Sequence, residues 1–491
     1  MQGILPLEQQ SQPKKLFIIG CLLSIVPIWL VDYLPMIDLP EHAAQIATLK
    51  RLLLNKEYYS AYYDIVPLTP YWFAYLLTVI FSFFMPLTMA LKCVISLAVA
   101  LTSWSAASLR NLVSQDDSLD WIFLPIGYGF AFQWGFLTFM LSIPIAFLAF
   151  KYFLNYLFEP TPKKKIYCAI LALILFFAHS ITYIVIIFIV IMIEILTTKN
   201  FIKSIKLLFP LFSPLLIIIK WFFYLTDTWS YEIFFWGARN GINYEDFFAL
   251  IGAYYSKILG IIFTLVIFVF PLCLRAKYIF GWQITPFIIT SLLVLMGPTI
   301  VLDTRFFSER LSVLLIPFFV FFIHFDESDN KFSYKIRHLV SFFIAITLLI
   351  ITGHKIYSFK KETLLIHRII DKLEPNKKLY KFIDCTPDIA FHPCTFIHIG
   401  GWYRAEKDGI SDDSFARYPS LVVTYKKRNL RQLDWKADLS YENYQKGKYL
   451  NYYDYYLFNG NHNKVNTIIK NNSIKANLIY KENDWWIFRR I

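Results

Sequence analysis

Long apolar runs recur from residue 16 to residue 352, most of them closed by lysine or arginine, and they leave this chain few ways to fold. Residues 16–31 (LFIIGCLLSIVPIWLV), 88–109, 136–157 and 181–197 each carry at most one charged side chain. Helices of this kind satisfy their own backbone polar groups and can sit in hydrocarbon, so their repetition implies a polytopic α-helical membrane protein. Of 491 residues, 57% are hydrophobic and only 17% charged, which excludes an ordinary soluble domain. The net charge of +13 would suit nucleic acid if it were concentrated. The basic residues are instead dispersed between apolar runs, as positive-inside topology and contact with anionic lipid or phosphate require, so no nucleic-acid partner is expected. The first apolar run has no small-residue cleavage site and more spans follow, so no cleavable signal peptide is expected.

Lysine and arginine mark the cytoplasmic ends of spans. Lys14 and Lys15 therefore place the N-terminus inside and direct span 16–31 outward. The same rule threads ten further spans: 88–109, 121–132, 136–157, 166–178, 181–197, 205–225, 256–274, 282–300, 311–324 and 338–352. The total is about eleven, with residues 70–85 dipping into the outer interface without crossing. Several of these runs fall short of the roughly 20 residues of a perpendicular crossing, as expected around a water-filled cavity. Residues 1–352 form the transmembrane domain, with a first outer loop at 32–87. Residues 353–491 form an extracytoplasmic α/β domain.

In that tail, Leu364, Leu365, Ile369 and Leu373 have helical spacing within residues 360–373. KLYKFID, SLVVTY, YDYYLF and DWWIFRR read as strands, and residues 462–471 as a connecting helix. Cys21, Cys93, Cys168 and Cys273 lie in apolar spans as small hydrophobes. In an extracytoplasmic tail, Cys385 and Cys394 are placed to close a short disulfide loop. No CxxC pair or His-rich tract marks a zinc site, and no residue is assigned as a metal ligand.

The chemistry concentrates where carboxylates should meet the outer membrane surface. Asp38-Leu39-Pro40-Glu41-His42 follows the first span and opens EHAAQIATLKRLLL, which has Ile46, Leu49 and Leu53 on one face and reads as an amphipathic helix lying on the outer surface. Two readings of Asp38 stay open. It caps the helix, with Glu41 three residues on and Pro40 in the first turn. Alternatively it is a general base that accepts a proton from an acceptor hydroxyl, with His42 tuning it or contacting phosphate. A second group, Asp303, Arg305, Glu309 and Arg310, falls between the ninth and tenth spans, and Lys220 lies toward the outer end of the seventh. Arginine pairs phosphate bidentately and lysine acts as a point charge, so Lys220, Arg305 and Arg310 are candidates for an anionic lipid head group. Salt bridges to the neighbouring acids explain the two arginines equally simply. Lys92 reads as snorkelling to the interface. His179, between the fifth and sixth spans, is a structural turn residue or a substrate contact. The outer loop 226–255, rich in Trp, Tyr and acids, suits either stacking on sugar rings or an aromatic belt. No P-loop, GxSxG or GxGxxG is present, so nucleotide hydrolysis has no support.

The pattern resembles the GT-C superfamily of integral membrane glycosyltransferases. The matching elements are IDLPEHAAQI after the first span with its surface helix, the apolar YWFAYLL segment, QWGFLTFMLSIPIAFLAF, FFAHSITYIV, the outer SER before the tenth span, and an α/β tail. HIGGWYRAEKDGISDDSFARYP and YDYYLF look like the tails of bacterial envelope members. The resemblance implies a polyprenyl-phosphate sugar as donor, inversion at the anomeric carbon, and a first-loop acid that activates the acceptor. That role falls on Asp38, with Glu41 as the alternative, and donor phosphate falls on Arg305 and Arg310. DLPEH replaces an adjacent acidic pair, which leaves a divalent cation possible rather than implied. The missing WWD-type sequence argues against the oligosaccharyl transferases.

The expectation is a transferase at the outer face of a bacterial inner membrane. It would move a sugar from a lipid-linked donor to a glycan, glycolipid or protein acceptor, in contact with membrane lipids. Two rivals make different demands. A transporter or flippase calls for mid-membrane ionisable residues and repeated halves, and a scaffold binding envelope polymer makes Asp38 dispensable.

Overall fold

The computed structural model describes residues 12–198, 200–228, 234–235, 257–274, 276–301, 304–325, 331–383, 394–426, 452–471 and 474–491. The chain forms two units. One contains Met1–Leu30, Pro70–Ala74 and Lys92–Tyr357, and the other contains Val31–Thr69, Tyr75–Leu91 and Ser358–Ile491.

The first unit is helical. Among the described residues, four helices are long and apolar enough to cross a membrane: Leu87–Arg110, Leu137–Phe158, Ser180–Thr197 and Lys331–Asp371. A bent pair, Ile202–Phe212 and Leu215–Leu225, makes a fifth if its 62° break lies within one span. Of four shorter apolar helices, Lys15–Trp29, Gly260–Cys273 and Trp282–Met296 belong to this unit, and Trp72–Ser82 belongs mostly to the second. This is fewer than the eleven crossings expected from apolar run length. The difference arises where sequence breaks interrupt the runs. Residues 121–132 hold Pro125, Gly127 and Gly129 and form short turns, Asp120–Phe123, Ile126–Tyr128 and Phe130–Trp134, in place of one helix. Residues 311–324 divide into a 3₁₀ turn, a seven-residue helix Leu315–Phe321 and a short strand.

The core of this unit is aromatic. Phe139, Phe147, Phe150 and Phe153 of Leu137–Phe158 are buried, and Phe147 and Phe150 meet Phe318 edge-on at 5.9 and 5.6 Å. Ser142 and Thr182 join their helices by a 2.7 Å hydrogen bond. Leu216, Phe209 and Ile350 face outward, as lipid-facing positions require.

A buried ion-pair knot ties the loop after Arg110 to the helix starting at Lys331. Arg110 lies 3.3 Å from Asp120 and 3.8 Å from Asp116, and Arg337 lies 2.8 Å from Asp116. The Nε of Arg337 donates to Ser118 Oγ, and its guanidinium lies 3.9 Å from the Phe325 ring centre. Asp117 accepts from Tyr334 at 2.6 Å and pairs with Lys14 at 2.8 Å.

The second unit is α/β. A five-stranded sheet runs in the order Ala476–Glu482, Trp485–Arg490, Tyr455–Asn459, Lys378–Ile383, Ile410–Ser411. Tyr455–Asn459 pairs parallel with Lys378–Ile383 and antiparallel with Trp485–Arg490. Helix His462–Asn471 buries Val465 and Ile468 against Tyr380, Phe458 and Trp486. All four expected strands and both expected helices are present, with three of the strands in this sheet. The fourth, within SLVVTY, lies outside this sheet: Val423–Tyr425 pairs antiparallel with Tyr63–Ile65. Cys394 is disulfide-bonded, and Cys385, its expected partner, lies outside the described residues.

The helix expected on the membrane surface is an interior element. Leu39–Leu53 buries every residue from Leu39 to Leu49, although Leu53 is exposed. The reason lies in small residues. Ala43, Ala44 and Ala47 are buried on this helix, and Gly401 on helix Gly400–Lys407 comes so close that a Cβ there would stand 2.3 Å from the Pro40 carbonyl oxygen. Two helices can approach that closely only where side chains are absent.

Candidate active site

The helix start at Asp38 bears on the capping reading of that residue. Its carbonyl accepts from the Glu41 and His42 amides at 3.0 and 3.1 Å, so its backbone starts the helix. Its side chain makes no capping hydrogen bond. Capping residues normally hold extended backbone angles, which fold the side-chain oxygen over the first free amides. Asp38 has φ −87° and ψ −8°, and its side chain turns elsewhere. The expected cap is therefore not formed.

The Asp38 carboxylate instead faces His398, with Oδ1 3.5 Å from Nε2. Both side chains keep a small opening to solvent, 14% and 13%. The other ring nitrogen, Nδ1, lies 2.8 Å from Asp413 Oδ2. The second oxygen of Asp413 lies 3.3 Å from Arg417, and Lys381 lies 3.6 Å from Asp412 and 3.9 Å from Asp413. A carboxylate–imidazole–carboxylate chain thus runs inward from the Asp38 edge to a buried ionic base.

Glu41 sits one helical turn along but has a different environment. It is fully buried, its Oε1 is paired with Arg404 and its Oε2 accepts from the Phe415 amide at 2.8 Å. Arg404 also donates to Ser414 Oγ. Glu41 therefore joins the first loop to the tail and has no oxygen facing a substrate. His42 is buried too, with Nδ1 2.7 Å from the Tyr75 hydroxyl and its ring edge-on to Phe415.

The charge states follow from these neighbours. Burial works against the His398 imidazolium, but Asp413, Asp38 and Glu41 outweigh it and raise the pKa above the usual histidine value. Burial opposes ionisation of Asp413 as well, yet Lys381, His398 and Arg417 hold it well below the carboxylate range. Asp412, buried beside Asp413 and only partly compensated by Lys381, is pushed up to about 6.

Glu41, His398 and Asp413 present possible ligand atoms within 4.8 Å of one another, a set that invites comparison with a metal centre. Arg404 and the Phe415 amide engage the two Glu41 oxygens, whereas His398 Nδ1 and the two Asp413 oxygens lie within ion-pair distance of each other and of Arg417 without completing a hydrogen bond. Lys381, Arg404 and Arg417 bring three positive charges to the same place. A divalent cation would displace those pairs and meet that repulsion, so the residues do not fit one.

The remaining predicted residues belong to the other unit. His179 is buried, edge-on to Tyr71 and Phe139 at 5.1 and 5.3 Å. Lys220 is exposed on helix Leu215–Thr228, and Arg305 is exposed on a short hairpin strand. Arg310 is half-buried, 3.6 Å from the Phe136 ring centre, and its Nε donates to the Arg305 carbonyl at 3.0 Å. Asp303 lies outside the described residues, as does most of the aromatic loop 226–255. Lys92 does not snorkel; it is buried 4.7 Å from the Trp29 ring centre.

Sequence reasoning assigned no role to His398, Arg404, Asp412, Asp413 or Arg417, although all five fall inside the tail segment HIGGWYRAEKDGISDDSFARYP. The available signal was the density of charge around a Gly-Gly pair. No family model matches the chain, and no curated protein matches it.

Proposed function

We propose that this protein is a membrane glycosyltransferase that moves a sugar from a polyprenyl-phosphate donor to an envelope acceptor, with Asp38 as general base. The observation that carries the reading is Asp38 itself: a carboxylate at a helix start that does not cap, keeps an opening to solvent and is backed by His398. In the proposed step the acceptor hydroxyl gives its proton to Asp38 as its oxygen bonds to the anomeric carbon. The bond from that carbon to the phosphate oxygen breaks on the opposite face, and the lipid phosphate leaves with the electron pair. A positioned base of this kind contributes on the order of 10²- to 10⁴-fold. The burial and pairing of Glu41 favour Asp38 over it for this role. The outer face of a bacterial inner membrane is the proposed location, with the tail extracytoplasmic.

The test is mass spectrometry of envelope lipids and glycans from a strain lacking the gene, complemented with wild type or Asp38→Asn. Restoration of a missing sugar by wild type alone is the expected result. Full restoration by Asp38→Asn overturns the reading and moves a flippase or scaffold ahead.

A further inference from the structure

The bent helix pair of the first unit carries two lysines without a counterion on an apolar helix too short to span. Helix Phe201–Leu208 has 8 residues and rises about 12 Å, against roughly 30 Å of hydrocarbon, so it does not cross a bilayer by itself. A 3₁₀ turn at Phe209–Phe212, with Pro210 near its start, follows it, and the chain bends by 62° before Leu215–Leu225. The short helix is nonetheless firmly seated. Asn200 caps it by accepting from the Lys203 amide at 3.0 Å, and Ser204 Oγ donates to the buried Glu194 at 3.0 Å. The Leu211 carbonyl accepts from Tyr183 at 2.8 Å, and Ser213 Oγ donates to the Ala169 carbonyl at 2.7 Å.

Three flanks of this helix meet different surroundings. Ser204, Leu207 and Leu208 are buried against the protein. Ile202, Ile205 and Phe209 share a second flank by helical spacing, and all three are exposed. Lys203 and Lys206 border that apolar flank; both are exposed, and neither has a carboxylate partner among the described residues. Three positions apart, they stand about 5–6 Å from each other at Cβ, where two like charges repel. An anion between them turns that repulsion into attraction, and phosphate suits the point charge of lysine. An apolar flank bordered by lysines is the arrangement of a helix lying in the membrane interface. A second copy of the chain is a poorer occupant, since it would bring the same two lysines to the contact.

We propose that helix Phe201–Leu208 lies in the membrane interface as an anionic-phospholipid site, where Lys203 and Lys206 hold the head-group phosphate and Ile202, Ile205 and Phe209 meet the acyl chains. The inference stands apart from the transferase reading. On this account the 62° bend is where the chain leaves the interface and enters the bilayer.

The test is native mass spectrometry of the full-length protein in detergent, titrated with phosphatidylglycerol or phosphatidylcholine. Phosphatidylglycerol is expected to bind more tightly. Lys203→Gln with Lys206→Gln should raise its apparent Kd about 25-fold, about fivefold per lysine, and leave phosphatidylcholine unchanged. The arginine pair, Lys203→Arg with Lys206→Arg, should keep the preference. Equal affinity of the wild type for the two lipids overturns the proposal, as does a glutamine pair that binds phosphatidylglycerol like wild type. So does an equal loss from Lys335→Gln, an exposed lysine on helix Lys331–Ser358, because the preference would then come from diffuse surface charge. Inorganic phosphate in excess should not displace the lipid, since it has no chains to meet the apolar flank. Displacement would make the lysines a soluble-anion site and overturn the lipid assignment. A dimer that the glutamine pair dissociates would put a second copy on this face and overturn it too. The last check uses the unaltered protein: the preference should fade in high salt, and its persistence there overturns the phosphate contact.

Discussion

Each unit contains a buried cluster of aspartates, arginines and histidine, and the two clusters differ in what holds their carboxylates. In the helical unit, Asp116 is shared by Arg110 and Arg337, Asp120 is held by Arg110, and Asp117 is met by Lys14, His338 and Tyr334. In the α/β unit, Glu41 and Asp413 are held in the same way by arginine and lysine, but Asp38 is approached by an imidazole at the solvent edge. Arginine is a permanent charge that locks a carboxylate in place, whereas histidine holds one conditionally. The first arrangement suits a clamp, and the second suits a group that must accept a proton.

The largest effect should separate chemistry from architecture. Asp38→Asn keeps size and shape and removes only basicity. Transfer should drop by on the order of 10²- to 10⁴-fold, while thermal stability falls by no more than about 1 kcal/mol, since the pair it weakens, Asp38 with His398, lies at the solvent edge. Arg337→Ala should do the reverse. It takes the closest cation from the half-buried Asp116, which keeps Arg110 at 3.8 Å, a loss of about 2 to 4 kcal/mol, read as a lowered unfolding midpoint in detergent. A stable Arg337→Ala protein, or an unstable Asp38→Asn protein, would break the distinction between the two clusters.

What the sequence made legible follows the same division. Asp38 was visible because a carboxylate beside a first span is unusual in so apolar a chain. Helices 87–110, 137–158 and 180–197 were visible because their apolar runs are uninterrupted, and the strands at 378–383, 455–459 and 485–490 because β-branched and aromatic residues concentrate there. The partners of Asp38 were hidden by chain separation, since His398 lies 360 positions away (398 − 38). Periodicity also misassigned the helix 39–53. An amphipathic pattern records which face is apolar and does not record that Gly401 allows another helix to cover the rest. The knot at Asp116, Asp117 and Asp120 is hidden from topology rules, which give acids little weight.

A moderate effect concerns pH. The His398 pKa is raised on folding, so its contribution is complete below the unfolded value of about 6.5 and disappears as pH climbs through the higher folded value. Asp412, raised to about 6, acts in the same direction at lower pH: the folded state binds its proton more tightly, so stability falls as pH rises from about 4 toward 6. Asp413, held well below its ordinary value, keeps its contribution into strong acid. The α/β unit should therefore lose stability from pH 5 to pH 9, followed by the fluorescence of Trp402, Trp485 and Trp486. His398→Gln should flatten the part above about pH 6.5 and leave the acid side unchanged. An identical slope in the variant would place the pH response outside this cluster.

The smallest effect sharpens the account of the clamp. Lys14 pairs with Asp117 at 2.8 Å, but its side chain is 63% exposed, so solvent and salt screen the pair and ordering the lysine chain offsets part of its attraction. Lys14→Ala should cost no more than about 1 kcal/mol, and less in high salt. Asp117 would still accept from Tyr334 at 2.6 Å and face His338 at 3.3 Å, so the substitution leaves no buried charge abandoned. The contrast with Arg337→Ala is then one of burial: both substitutions remove a cation from an aspartate of the same loop, yet only the buried one exposes the cost of an uncompensated charge. Equal losses for Lys14→Ala and Arg337→Ala would mean that the knot acts as one cooperative network reaching to its exposed rim, and its rigidity could no longer be assigned to the two buried arginines.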